Sequence, residues 1–462
     1  MSGSCHFRRT ILGLLIALFS AEATEALPRL KVSADGHFLV KDDGSPFFYL
    51  GDTAWELFHR LTREEADQYL ADRAAKGFTV IQAVVLAESD GLTVPNPYGH
   101  LPLENADPAR PVEPYFQHVD YIVNKAETLG LYIGILPTWG DKFNKRWGVG
   151  PEIFTPENAR IYGVFLGKRY KDKPIIWILG GDRSPENERH FAVIRSLAAG
   201  LKEGDGDNHL MTYHPMGGQN SSKWFHNDDW LSFNMFQSGH GARDIPNYNL
   251  TSANYRLVPA KPTLDGEARY EDHPINWKPE NGWFDDFDVR QAAYWSLLAG
   301  ACGHTYGNHN IWQFLDAGRK PISSARTPWK TALDHKGSFQ VGYARGLFES
   351  RPFQKLVPDQ SILISDPGTG ADHVRAARAV DGSFLFVYLP SGNPVRVKLD
   401  KIPGKKVNAF WFDPRENRAV KIGEFSNLES MEFIPPTSGR GNDWVLVLDD
   451  GTQDFAYPGI KK

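Results

Sequence analysis

Strand-like and helix-like segments alternate with little interruption from residue 47 to residue 348, and that alternation restricts the chain to a parallel α/β architecture. Its clearest unit is Ile175 to Asp182, IIWILGGD. An apolar run of β-formers stops there at two glycines and delivers one carboxylate, Asp182, in the manner of a buried parallel strand that ends at a functional site. Glycines in that place let another molecule approach the backbone closely. A carboxylate after a strand also serves as a helix N-cap, and Ser184-Pro185-Glu186 just beyond does read as a helix start.

Strands are expected over 47–50, 78–86, 131–137, 175–182, 210–214, 230–236, 262–267 and 304–306, with helices over 62–76, 116–129, 156–170, 188–202, 289–300 and 334–348. Eight βα units within about 300 residues predict a (β/α)8 TIM barrel. A doubly wound sheet is the structural alternative, but no Gly-rich phosphate loop follows the first strand. Before the barrel, residues 30–48 carry Asp-Gly turns between short apolar runs and read as a small β-meander. After Pro352 the pattern changes to short alternating runs (SFLFVYLP, PVRVKLD, VNAFWFDP, MEFIP, DWVLVLDD), which predict an antiparallel β-sandwich of roughly 100 residues.

The first residues combine a short basic region, an apolar segment of about ten residues and small residues suited to cleavage, the pattern of a secretory signal peptide. The expected organisation is therefore a leader over 1–26, a barrel over 27–351 and a sandwich over 352–462, in a periplasmic or secreted protein. No other stretch approaches the roughly 20 apolar residues of a membrane helix, so membrane insertion is not expected. A net charge of −5 without long like-charge runs argues against nucleic acid as a partner. Cleavage would leave one cysteine, Cys302, which cannot form an internal disulfide and sits in small apolar surroundings, SLLAGACGH, suited to a buried residue rather than a catalytic thiol.

A second carboxylate group lies in Pro262 to Tyr270, PTLDGEARY, where Asp265 and Glu267 end the seventh strand. Strands four and seven stand three positions apart in an eight-strand ring, so Asp182 and this group can face each other across the barrel mouth. Glycoside hydrolysis needs such a pair: one carboxyl protonates the leaving oxygen, and in retaining enzymes the other attacks the anomeric carbon. Other strand ends supply aromatic faces for sugar rings (Trp55, Trp139, Trp312, Phe236, Tyr213, Tyr306) and short polar groups for hydroxyls (Asp52, Asp141, His214, His240, His304, Asn308, His309). Of these, Asp52, Trp55, Trp139, Asp141, His214, Phe236, His240 and Trp312 are the expected substrate-binding residues. His304 and His309 also allow a metal reading, but no HExxH motif or Cys ligand set accompanies them, and neither a metal nor a cofactor is expected. The alternative is a non-catalytic carbohydrate- or matrix-binding protein on a hydrolase scaffold.

With GDTAW (51–55), WILGGD (177–182) and DGEARYE (265–271), the chain resembles the apiosidase-like glycoside hydrolases over nearly its whole mature length. Its β module resembles the collagen-binding type attached to a collagenase, with FWFDPR (410–415) as the most typical segment. The resemblance implies a retaining, endo-type apiosidase acting on side chains of plant pectin, especially rhamnogalacturonan II, where apiose joins galacturonic acid. By motif it implies Asp182 as acid/base and Glu267 as nucleophile. An aspartate acid/base departs from the Asn-Glu pair of the larger barrel clan and matches this family's GGD. That role requires a raised pKa, which the apolar run before Asp182 and the charge of Glu267 would both favour.

Overall fold

The computed structural model describes residues 26–460, so the expected leader lies outside the described residues apart from its last one. The described chain opens with an antiparallel meander of β1 (Leu30–Val32), β2 (Leu39–Lys41) and β3 (Pro46–Phe47). Eight parallel strands follow: β4 (Tyr49–Thr53), β5 (Val80–Leu86), β6 (Tyr132–Thr138), β7 (Ile175–Gly180), β8 (Met211–His214), β9 (Asn234–Gln237), β10 (Thr263–Glu267) and β11 (Gly303–Tyr306). Ladder pairing is continuous through β11-β4-β5-β6-β7-β8 and again through β9-β10. Backbone bonds bridge both seams: Ser232 N donates to Met211 O (2.8 Å), and Cys302 N donates to Thr263 O (2.9 Å). This is the expected (β/α)8 architecture, and each of the eight strands overlaps the segment in which the alternation put it.

The helices are α1 (Leu57–Arg60), α2 (Arg63–Ala75), α3 (Glu113–Thr128), α4 (Pro156–Tyr170), α5 (Glu188–Asp205), α6 (Ser222–Phe225), α7 (Asn247–Tyr255), α8 (Asp286–Leu297), α9 (Trp329–Ala332) and α10 (Lys336–Glu349). Short polar side chains start several of them. Thr62 with Glu65, Thr155 with Asn158 and Asp285 with Asp288 form reciprocal capping boxes on α2, α4 and α8. The strands are buried on both faces. Along β7, Ile176 and Ile178 fill the barrel interior with Val80, Val84, Leu136, Met235 and Leu264. Ile175, Trp177 and Leu179 pack outward under the helices. Two-sided burial is why this strand reads as an unbroken apolar run.

The expected first strand was placed too early. Phe47 ends β3, and Gly51, Asp52 and Thr53 belong to β4 itself rather than to a loop after it.

The C-terminal module contains β12 (Leu356–Pro358), β13 (Arg375–Ala379), β14 (Phe384–Leu389), β15 (Val395–Lys398), β16 (Lys406–Asp413), β17 (Arg418–Ser426), β18 (Ser430–Phe433) and β19 (Trp444–Asp450). A six-stranded antiparallel sheet of order β12-β13-β14-β19-β16-β17 carries the two-stranded sheet β15-β18 on one face. Leu385, Val387 and Leu389 point into the core between these sheets. Phe384, Phe386 and Tyr388 point the other way, into the core shared with the barrel. The turn-punctuated runs located β14, β15, β16, β18 and β19; β17 escaped notice because its outer-edge residues are largely polar and exposed.

Helix α8 is the docking rail. Arg290 pairs with Asp443 (Nη2 to Oδ1, 2.7 Å), both side chains being almost wholly buried. Tyr294 stacks on Tyr388 with centroids 4.8 Å apart, and Trp295 Nε1 donates to His373 O (2.8 Å). Replacing Arg290 by Met strands the Asp443 carboxylate in the interface, and breaking one side of a buried pair costs about 3 kcal/mol. The expected outcome is a loss of that size in urea unfolding; an unchanged midpoint would mean that the module is only tethered to the barrel.

Candidate active site

A cavity of about 780 Å³ opens at the C-terminal ends of the barrel strands. Its wall brings together Asp182 and Glu267 with Trp55, Glu88, Trp139, Trp147, Tyr270, Trp277 and Trp312.

Asp182 reaches it through an unusual backbone. Gly180, Gly181 and Asp182 have φ of +93°, +95° and +57°, three consecutive residues in the left-handed region. Glycine is obligatory at the first two positions, because a Cβ on Gly180 would lie 2.4 Å from His214 O and one on Gly181 would lie 2.9 Å from the Trp139 ring. Asp is among the few side chains that tolerate such a conformation, and strain of this kind gathers at functional sites. The Asp182 carboxylate accepts hydrogen bonds from Arg183 Nη1 (3.1 Å) and Trp147 Nε1 (3.3 Å), yet it remains about a fifth exposed, on the cavity side.

Glu267 is aimed by a β-bulge. In regular strand geometry Asp265 and Glu267 would share a face, but the register with β9 runs Asp265 to Phe236 and then Glu267 to Gln237, so Gly266 is an extra residue. Asp265 turns aside to accept from Ser238 Oγ (2.7 Å) and Asn247 Nδ2 (3.1 Å). Glu267 turns into the cavity, where His240 Nε2 lies 3.0 Å from Oε1 and His214 Nε2 lies 3.2 Å from Oε2. The Asp182 backbone N–H donates to His214 Nδ1 (3.2 Å), so that nitrogen is an acceptor, and in the neutral ring the proton sits on Nε2, facing Glu267.

These surroundings drive the two carboxyls apart. For Asp182, burial and then the negative charge of Glu267 hold the pKa well above the usual aspartate range, against the opposing pull of Arg183 and His214. For Glu267, burial also pushes upward, but the hydrogen bonds from His214 and His240 outweigh it and hold the carboxyl well below its ordinary value. The pair can present one protonated acid and one carboxylate at the same pH.

Four of the expected substrate-binding residues line the cavity: Trp55, Trp139, His240 and Trp312. Trp55 and Trp139 pack with centroids 5.2 Å apart, and Trp55 Nε1 donates to the Tyr270 hydroxyl (2.9 Å). The other four do not line it. Asp52 lies within β4 and faces the helix layer, accepting from Arg73 Nε (2.5 Å) and the Tyr69 hydroxyl (2.6 Å). Asp141 is buried and accepts from Lys142 Nζ (2.7 Å) and Gly150 N (2.8 Å), which fixes the loop carrying Trp147. Phe236 is fully buried within β9. His214 sits behind the cavity wall, accepting from the Asp182 backbone N–H and facing the Glu267 carboxylate.

Cys302 is buried within the barrel core, and burial pushes its thiol up to about 12. Among the described residues no group of three or more His, Cys, Asp or Glu side chains is placed to hold a metal ion.

Glu88, Trp147, Tyr270, His273 and Trp277 also line the cavity but were missed by sequence reasoning. Tyr270 was within reach, three residues after Glu267. The others come from irregular loops without periodic signal. Trp147 and Trp277 stand at the rim, 37% and 53% exposed. No lysine or arginine lines the cavity, and burial holds His273 and His309 below the ordinary imidazole range.

Among the described residues no helix is long and apolar enough to cross a membrane. No curated protein matches the chain. Residues 357–449 match the family model described as "Putative collagen-binding domain of a collagenase". Among solved structures, one described as a glycoside hydrolase is 35% identical, with a TM-score of 0.86 over 93% of this chain and 98% of its own. A glycoside hydrolase family 5 structure from Bacteroides vulgatus is 33% identical, with a TM-score of 0.87 over 95% of this chain and 98% of its own. An alpha-amylase from Geobacillus thermoleovorans, 12% identical with a TM-score of 0.53 over 88% of this chain and 99% of its own, shares the fold alone. Residues 33–355 match the model of the apiosidase-like catalytic domain, and the chain belongs to that family of glycoside hydrolases.

Proposed function

We propose that the chain is a retaining glycosidase that releases apiosyl-linked side chains of plant pectin, in particular those of rhamnogalacturonan II, and that it acts after export through the leader of residues 1–26. The observation that carries the chemistry is the opposed ionisation of Asp182 and Glu267 in one aromatic cavity. The family supports the apiosyl unit. A cavity wall without lysine or arginine suits a neutral sugar ring, and its carboxylate favours the positive charge that develops on that ring in the transition state.

Glu267, held ionised by two imidazoles, attacks the anomeric carbon as the glycosidic C–O bond breaks. Asp182 gives its proton to the departing oxygen. The glycosyl ester on Glu267 is then cleaved by water: the Asp182 carboxylate removes a proton as the water oxygen bonds to the anomeric carbon, and Glu267 leaves as carboxylate. Trp55 and Trp139 offer faces on which the ring can stack.

Asp182→Asn keeps a side chain that tolerates positive φ, so the variant should fold. It is expected to lose about 10²–10⁴-fold in kcat on pectic oligosaccharides, and much less on an aryl glycoside whose leaving group needs no proton. Glu267→Gln should lose turnover on both substrates. Proton NMR of the first-formed sugar is expected to show the anomer of the substrate; the opposite anomer, or two variants that turn over like wild type, would defeat the assignment.

The rate should also form a bell with pH. Glu267 must be ionised, so activity falls as pH drops through its lowered pKa; Asp182 must be protonated, so activity falls as pH rises through its raised one. His240→Ala removes a donor from the Glu267 carboxylate, raises that pKa and moves the acid limb of kcat/KM to higher pH. An acid limb that stays in place would show that His240 does not set this ionisation.

A further inference from the structure

A third carboxyl opens on the same cavity and has no part in the two-carboxyl chemistry. Glu88 stands two residues beyond the end of β5, half-buried. Its loop is fixed from behind: Ser89 N donates to Glu56 Oε1 (3.1 Å), and Glu56 is itself buried against His59 (2.7 Å) and Arg60 (3.3 Å). The Glu88 carboxyl takes no hydrogen bond from the described residues. A carboxyl held in place on the cavity wall and not engaged by a protein partner is free to hydrogen-bond a ligand.

Its position relative to the reacting pair follows from strand order. Only β6 separates β5 from β7 in the continuous ladder, whereas Glu267 ends β10, beyond the seam on the far side of β11 and β4. Glu88 and Asp182 therefore share one side of the cavity wall, where the acid meets the departing oxygen. Resting on the glycosidase reading, we propose that Glu88 is a substrate-binding residue that holds a hydroxyl of the leaving-group sugar. Burial, reinforced by the charges of Asp182, Glu56 and Asp141 and opposed by Arg183, pushes the carboxyl up to about 8. At neutral pH it is therefore mostly protonated, and can donate one hydrogen bond and accept another without adding a negative charge beside Asp182. Once ionised it can only accept.

The test is binding without turnover, in the full-length Glu267→Gln protein, with rhamnogalacturonan II oligosaccharides as the probe and tryptophan fluorescence as the readout. Adding Glu88→Ala is expected to raise the half-saturating concentration about tenfold, the worth of one or two hydrogen bonds. Adding Glu88→Gln instead should recover most of that loss, because the amide also donates and accepts. Binding by the parent should weaken from about pH 6 to about pH 9 as Glu88 ionises, and Glu88→Gln should remove that pH dependence. A Glu88→Ala protein that binds within about twofold of its parent, or a Glu88→Gln protein as impaired as Glu88→Ala, would overturn the proposal. Wild-type turnover of the same oligosaccharides is measured alongside. If turnover persists while Glu88 substitutions leave binding unmoved, Glu88 is excluded and the glycosidase reading stands; if there is neither turnover nor binding, both fall.

Discussion

The two carboxyls depend on one imidazole. His214 accepts the backbone N–H of Asp182 on one nitrogen and presents its other nitrogen to Glu267, so it ties the end of β7 to the end of β10 from its own place at the end of β8. The first contact selects the tautomer required by the second. It also gives the strained Gly-Gly-Asp turn one of its anchors; another is Gly181 N, which donates to His214 O (3.1 Å). The same residue thus shapes the backbone that delivers one carboxyl and tunes the ionisation of the other.

The barrel supports that arrangement through layers with no free face. The strands near the site are buried inside by Val, Ile and Leu and outside by helices, and α8 is in turn covered by the C-terminal sheet. One face of that sheet is spent on the barrel and the other on β15 and β18. The central strands of that sheet are therefore covered on both faces, and the module packs against α8 through Arg290, Tyr294 and Trp295. The match of residues 357–449 to a model described as a collagen-binding domain does not itself supply a ligand surface.

Much of this was legible in the chain. Period and punctuation located all eight barrel strands, because parallel strands buried on both faces read as apolar runs closed by glycine or a polar residue. Asp182 and Glu267 followed from strand position. What the pattern could not show was direction. Asp52 was read as lying beyond its strand; it lies within β4 and points outward to Arg73. Asp265 and Glu267 should share a face by simple alternation, and only the bulge at Gly266 separates them. Glu88, Trp147 and Trp277 were invisible for a different reason: they sit on irregular loops, whose course is set by tertiary bonds such as that from Ser89 N to Glu56.

The left-handed turn at Gly180 to Asp182 restricts what this site could ever become. A glutamate there would bear a longer, more mobile side chain on a backbone conformation that aspartate and asparagine enter far more readily. The residue at position 182 is therefore chosen first by backbone torsion and only then by chemistry. Room for substitution on this scaffold lies away from position 182, at the rim, where Trp147 and Trp277 stand exposed on irregular loops.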